Sequence, residues 1–290
     1  MFLLIFFVMR VCASEPLVIR YVPPENPDYD SHMYYVNMLR LALERTTESH
    51  GSFQLKPLDY YMVQERAIYE LTRGRKLDIY WTMTSNVREA QMLPIRIPLI
   101  KGLLGFRIFI IREEDQEKFT QVKSIADLNR LQAGQGTDWP DTTILRANDI
   151  QTIGITDYDS LFPMLEKKRI DYIPRGINEP WNEIETHKEK GFVVEKNLML
   201  QYRAPIYFFV HQSQKALAQR IETGLRLAIN DGTFDQLFYG YPGRSEVFER
   251  ANVKGRKVFQ LVNPLLTPQT PLDEAELWLD PYLSEDKEEQ

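Results

Sequence analysis

QERAIYELTRGRKLDIYWT, residues 64–82, changes its period halfway along. In Gln64–Thr72 the apolar residues Ala67, Ile68 and Leu71 recur at helical spacing. Gly74 follows where a helix end takes a left-handed residue. Leu77–Thr82 is then rich in aromatic and β-branched side chains, which predicts a strand. The same alternation runs upstream. Leu17–Val22 is a short strand stopped by Pro23-Pro24. Tyr34–Arg45 carries Tyr35, Met38, Leu39, Leu41 and Ala42 on one helical face, and Phe53–Leu58 is a second strand. Strands alternating with helices form a mainly parallel sheet with both faces covered.

Downstream the pattern restarts. After a loop containing Pro94 and Pro98 comes the β-rich run Gly105–Arg112. Ile125–Leu128 opens a new series, with a glycine turn at Gly134–Asp138, a helix over Tyr158–Lys168 and a short strand at Asp171–Pro174. β character returns in Met199–His211, followed by a long helix, Gln214–Ile229, closed by Asp231-Gly232. If that second β run returns the chain to its first half, two crossings join two α/β lobes with a cleft between them. The expected fold class is therefore α/β and two-lobed. Residues 14–105 and 206–270 form lobe 1, 106–205 form lobe 2, and 271–290 form an acidic C-terminal tail. Part of Asp273–Gln290 is expected to be loosely held.

The chain has 290 residues, 26% of them charged, and a net charge of −6. This acidic balance argues against nucleic acid, whose affinity comes from cations neutralising phosphates. Phe2–Met9 is apolar but too short to span a bilayer, and Val11-Cys12-Ala13 follows with small residues suited to signal cleavage. Residues 1–13 are therefore expected to be a signal peptide, although no Lys or Arg precedes the apolar run. Cys12 is the only cysteine, so the mature protein is expected in the periplasm without disulfide, thiol nucleophile or lipid anchor.

Catalytic motifs fail. Gly134 and Gly136 lack the third glycine of a dinucleotide loop, and neither a phosphate loop nor a GxSxG elbow is present. The four histidines, His32, His50, His187 and His211, have no metal-ligand spacing. No catalytic residue, metal or cofactor is assigned.

Three stretches together resemble the family-3 extracellular solute-binding proteins, the periplasmic amino-acid-binding proteins of ABC importers. They are Leu71–Leu99 (LTRGRKLDIYWTMTSNVREAQMLPIRIPL), Ser124–Asp138 (SIADLNRLQAGQGTD), and Tyr207–Phe238 with its ending LRLAINDGTFDQLF. The resemblance spans roughly residues 17–240 and implies a type II periplasmic binding fold that closes on a small ligand. It implies that Arg88 clamps a ligand carboxylate, with Gly136-Thr137 meeting the same group from the opposite lobe.

The residues make sense of these roles independently. Thr82 and Thr84 follow a strand's carboxyl end, where open α/β sheets bind ligands, and Arg88 offers bidentate geometry. Thr137 or Asp138 precedes a helix start near Pro140, where free N–H groups attract an anion or a capping side chain. Tyr21, Trp81, Trp139 and Trp181 fall near the proposed cleft loops, as packing or as ligand contacts. Arg20, Arg96, Arg107 and Arg203 are further cations without a ranked role.

One departure stands out. Where the family has an Asp for the ligand's ammonium, this chain has Arg175-Gly176, with Glu179 the nearest acid. That puts an ordinary α-amino acid in doubt. The expected activity is binding of a small carboxylate-bearing solute by a monomer, for an ABC permease. The alternatives are a ligand sensor for a membrane receptor, a dehydratase-like enzyme using Glu179 or Glu183, and a scaffold that has lost its ligand.

Overall fold

The computed structural model describes residues 15–25 and 30–279; the expected signal peptide and Cys12 lie outside the described residues. Five strands build lobe 1 and seven build lobe 2. In chain order they are β1 (Leu17–Tyr21), β2 (Phe53–Pro57), β3 (Ile79–Met83), β4 (Leu93–Ile95), β5 (Phe106–Arg112) and β6 (Ala133–Gly136). The others are β7 (Thr152–Ile155), β8 (Ile173–Gly176), β9 (Phe192–Val194), β10 (Leu198–Gln201), β11 (Ile206–Val210) and β12 (Lys257–Gln260).

In the first lobe β1 and β2 are parallel, with Ile19 opposite Leu55. β11 runs antiparallel between β3 and β4, placing Phe208 opposite both Trp81 and Ile95. The two groups join where Asp78 N donates to Arg20 O at 3.0 Å. The Asp78 carboxylate receives the Arg20 backbone N–H and two guanidinium N–H groups, each at 2.8 Å. Asp78, the second residue of LDIYWT, thus fixes the sheet.

In the second lobe β6 and β7 are parallel, and Gly134 N donates to Tyr172 O to join them to the strand region of β8. β5 is the lobe's axis. It pairs antiparallel with β8 on one side and with β10 and β9 on the other. All seven residues of FRIFIIR are buried, as expected of a strand covered on both faces.

The helix Lys215–Asn230 lies on Asp30–Glu44. Its buried face carries Leu217, Ala218, Ile221, Leu225 and Ala228 at three- and four-residue spacing. Gly224 lets the two helices touch: a Cβ there would stand 1.8 Å from Ala42 O. Gly105 does the same for the two lobe crossings, since its Cβ would meet Tyr202 O at 1.8 Å. Tyr202 N donates to Gly105 O at 3.1 Å, so the outgoing and returning chains are in direct backbone contact.

Two expectations are corrected. Gly134 and Gly136 belong to strand β6 rather than to a turn, because parallel pairing with β7 satisfies their backbone. The segment 206–270 does not stay with the first lobe: β12 pairs in parallel with β10, Leu200 opposite Phe259. Of the acidic tail, the described part up to residue 279 is packed against the body of the protein. Leu277, Trp278 and Leu279 are buried, and Leu279 N donates to Lys101 O at 2.8 Å.

Between β12 and that anchor the chain straps one lobe to the other. Asn148 in the second lobe exchanges two hydrogen bonds with Val262. Asn263 donates to Arg203 O at the crossing, and Leu265 O accepts from Asn86 N in the first lobe. Among the described residues no helix is long and apolar enough to cross a membrane.

Candidate functional site

The first-lobe wall of the cleft is aromatic. Trp81, on β3, stacks on Tyr35 with centroids 5.5 Å apart and lies 4.8 Å from His32 and 6.4 Å from Tyr21. Phe208 meets it edge-on from β11. Burial depresses the His32 pKa, against a hydrogen bond with the backbone of Val22.

Arg88 follows β3 and is bonded on the Thr82 side of that strand, the face opposite Trp81. The turn after β3 ends at Ser85, whose Oγ accepts from Arg88 N at 3.2 Å and caps the helix Asn86–Gln91. The cap sets the first turn so that the guanidinium folds back under β3. Its Nη1 donates to Met83 O at 2.7 Å and to Thr82 Oγ1 at 2.9 Å. Thr82 Oγ1 in turn donates to Gln64 Oε1, so the hydroxyl is oriented to receive the arginine. Arg88 is 7% exposed. Burial pulls its pKa below the usual arginine value, opposed by the negative fields of Glu65 and of Asp141 in the other lobe. None of the ion pairs among the described residues involves Arg88, and neither its Nε nor its Nη2 has a hydrogen-bond partner there. Thr84 is fully buried and serves the fold: its hydroxyl donates to Glu89, which also holds Arg96 and Thr267.

The second-lobe wall is a buried ionic network. Arg107, the second residue of β5, pairs with Asp141 at 2.5 Å and with Glu179 at 3.2 Å. The Tyr202 hydroxyl, on the returning crossing, donates to Asp141 and accepts from Arg107 Nε at 3.0 Å. Glu179 bends back over Gly176, accepting its N–H at 2.6 Å. A Cβ at Gly176 would sit 3.1 Å from the Glu179 carboxylate, so the missing side chain there makes the room. Arg175 is held twice by Glu183, at 2.7 and 2.9 Å, and by Glu179 at 3.4 Å. Its guanidinium lies over Trp139 and Tyr158, and Tyr158 OH donates to Glu183 at 2.5 Å. Burial alone would lower the Arg175 pKa; Glu179 and Glu183 more than offset it and leave it raised. The same carboxylate, with burial as the larger cause, pushes the Tyr158 phenol up.

The candidate residues thus separate into groups. On the first lobe Tyr21 meets Trp81, and Thr82 meets Arg88 on the other face of β3; on the second, Trp139, Arg175 and Glu179 come together. Thr137 and Asp138 are exposed, and Thr137 N is spent on Ile155 O. The expected cap is not made: Trp139 is the N-cap of the helix Pro140–Ala147, without a side-chain bond. The carboxylate nearest that helix start is the chain's own Asp141, turned toward Arg107. Of the unranked cations, Arg20 is spent on Asp78, Arg96 on Glu89, and Arg203 stacks over Trp278. The reading from sequence missed Tyr35, Asp141 and Tyr202. Tyr35 was visible as an apolar helix position, but nothing in the spacing singled out the other two. Among the described residues no group of three His, Cys, Asp or Glu side chains is placed to hold a metal ion.

No protein-family model matches the sequence, and no curated protein matches it either. The shape, however, is similar to that of solved structures. One is an arginine-specific periplasmic binding protein of Salmonella typhimurium, with a TM-score of 0.56 at 14% identity over 78% of this chain and 99% of that one. Another is a His/Glu/Gln/Arg/opine family-binding protein from Silicibacter pomeroyi in complex with lysine, with a TM-score of 0.54 at 7% identity over 72% and 86% of the two chains. A third is a histidine kinase sensor domain with similarity to periplasmic binding proteins, with a TM-score of 0.55 at 14% identity over 80% and 97%. At these identities the likeness establishes the fold: a two-lobed periplasmic-binding architecture.

Proposed function

We propose that this chain binds a small carboxylate-bearing solute between its lobes, closes around it, and performs no chemistry on it. The observation that carries the reading is Arg88, a residue only 7% exposed whose guanidinium Nε and Nη2 have no hydrogen-bond partner among the described residues. Arg107 and Arg175, on the second lobe, are neutralised by Asp141, Glu179 and Glu183 and offer an anion nothing comparable. In this reading Arg88 takes the carboxylate, Thr82 orients Arg88, and Tyr21, Tyr35 and Trp81 take the ligand's body. Contacts to both lobes favour the closed state, and bending falls at the paired crossings beside Gly105 and Tyr202.

The neighbours in structure that bind arginine or lysine support solute capture, and a periplasmic location with an ABC importer as partner fits them. The likeness to a histidine kinase sensor domain supports a second reading, in which the closed form reports to a membrane sensor.

The test is calorimetric titration of ligand-stripped protein with amino acids, dicarboxylates and their amides. Carboxylates should bind and the matched amides should not. Arg88→Gln should weaken the best ligand about 10- to 100-fold, the value of a hydrogen bond to a charged group. An unchanged affinity in Arg88→Gln would refute the assignment.

A further inference from the structure

The outer edge of the first lobe carries an unusual surface for an acidic protein. Tyr60, Tyr61 and Tyr69 are 47%, 42% and 46% exposed, and Val63 is 60% exposed. They come from the loop after β2 and from the helix Gln64–Thr72. On that helix Arg66, Tyr69 and Arg73 share one outward face. Both guanidinium groups lie over the Tyr69 ring, at 5.3 Å and 4.7 Å. Lys76 stands 5.6 Å from the Tyr60 ring. Stacking of this kind holds long cationic side chains in a fixed direction instead of leaving them to wander in solvent.

Next to this face is a groove of ≈ 300 Å³ lined by Arg20, Lys56, Asp59, Tyr60, Arg75 and Lys76 among others. Arg20 is neutralised by Asp78, and its Nη1 also donates to Arg75 O, which fixes the groove wall. Lys56 and Arg75 stand against the single acid Asp59 of the groove lining, with Lys76 shared between the groove and the acid outside it. Around it, Arg66 and Lys76 share the buried Glu70. The groove lining therefore carries a local excess of cations on a chain whose net charge is −6.

We propose that this face docks a partner protein through an acidic segment, one carboxylate side chain of which enters the cationic groove while its neighbours lie on the exposed tyrosines. An extended anionic membrane fits less well, because a flat sheet of negative charge meets the acidic body as well as the patch. A short acidic segment meets only the patch, within the roughly 8 Å over which charge is felt at physiological salt. Tyrosine and arginine are also the side chains that carry most energy in protein interfaces. This surface is separate from the cleft, and the inference does not depend on the cleft having a ligand.

The experiment is fluorescence anisotropy of full-length protein with a fluorescein-labelled octaglutamate peptide, run beside sedimentation with phosphatidylserine–phosphatidylcholine vesicles. The peptide should bind saturably and weaken as salt rises. The exposed triple variant Lys56→Glu, Arg75→Glu, Lys76→Glu should lose about tenfold or more of that affinity. Tyr69→Ala, which leaves the charge intact but frees the two arginines, should lose a smaller part. Unaltered circular dichroism and melting temperature would show that the variants fold. Absence of peptide binding, peptide binding that the triple variant retains, or binding to vesicles alone would each overturn the proposal.

Discussion

The network behind the second-lobe wall makes a quantitative demand of Asp141. Arg107 has a side chain 2% exposed and Asp141 one that is 6% exposed, so neither is appreciably screened by water. Removing one partner of a buried ion pair costs about 3–5 kcal/mol, because the other charge is left desolvated. In Asp141→Asn the loss is partly offset. Arg107 keeps Glu179 at 3.2 Å and the Tyr202 oxygen at 3.0 Å, and the amide still offers one acceptor to the tyrosine. The expected destabilisation is therefore at the low end, about 3 kcal/mol. Urea unfolding followed by circular dichroism and by tryptophan fluorescence supplies the number, provided the two probes coincide and the slope is unchanged. The apolar pair Arg107→Met with Asp141→Leu should cost less than the sum of its single changes, since it buries no orphan charge. A shift of less than about 0.5 kcal/mol in Asp141→Asn, typical of a surface site, would mean that water reaches the pair and that the wall is not the dry network described.

Two further expectations follow. His32 has its pKa lowered in the folded chain by burial against Tyr21 and Trp81. Between that lowered value and the unfolded value of about 6.5 the unfolded chain holds more protons, so stability should fall as pH drops through this window. His32→Gln should flatten that part of a stability–pH curve; a slope identical to the parent's would assign the loss to other groups. Trp278 closes the C-terminal strap, with its ring against Gly102 and Nε1 donating to Pro271 O at 2.8 Å. Trp278→Ala should cost about 3–5 kcal/mol by leaving a cavity, read as a lower urea midpoint. A loss below about 1 kcal/mol would show that residues 271–279 do not anchor the strap.

Most of the fold was legible because it depends on short-range pattern. The helix Gln64–Thr72 was read to the residue, and Lys215–Asn230 to within one, since both combine helical apolar spacing with a glycine stop. The two crossings were legible because FRIFIIR carries five β-forming apolar residues among seven and IYFFV is apolar throughout, as in strands covered on both faces. What escaped depends on pairing at long range. AGQG has no strand propensity and becomes β6 only because β7 and the Tyr172 carbonyl lie beside it. KVFQ is too short to declare itself, and only β10 makes it a strand of the second lobe. The acidic composition of the tail hid Leu277, Trp278 and Leu279, three buried residues in a row that outweigh the charges around them.

The site was harder for a different reason: composition gives the number of charges but not their partners. Arg175 in sequence looks like a cation waiting for an anionic ligand. In the structure β8 and the helix Pro180–Thr186 meet at an angle that puts Glu183, eight residues on, into a two-point pair with it, while Glu179 uses the space above Gly176. Gly176 and Glu179 are thus one feature: the missing side chain at Gly176 leaves room for a carboxylate that reaches back from three residues later. It is engaged by Arg107 and Arg175 and is not left for a ligand's ammonium. Arg88 is the opposite case. Its neighbours Thr82 and Ser85 orient it without neutralising it, and a residue at 7% exposure with no carboxylate partner among the described residues is costly to keep charged. The chain contains acids enough to satisfy it, since Arg107 and Arg175 between them engage three. The cost is explained if the missing carboxylate arrives with the ligand, and the affinity lost in Arg88→Gln would measure how much of it the ligand repays.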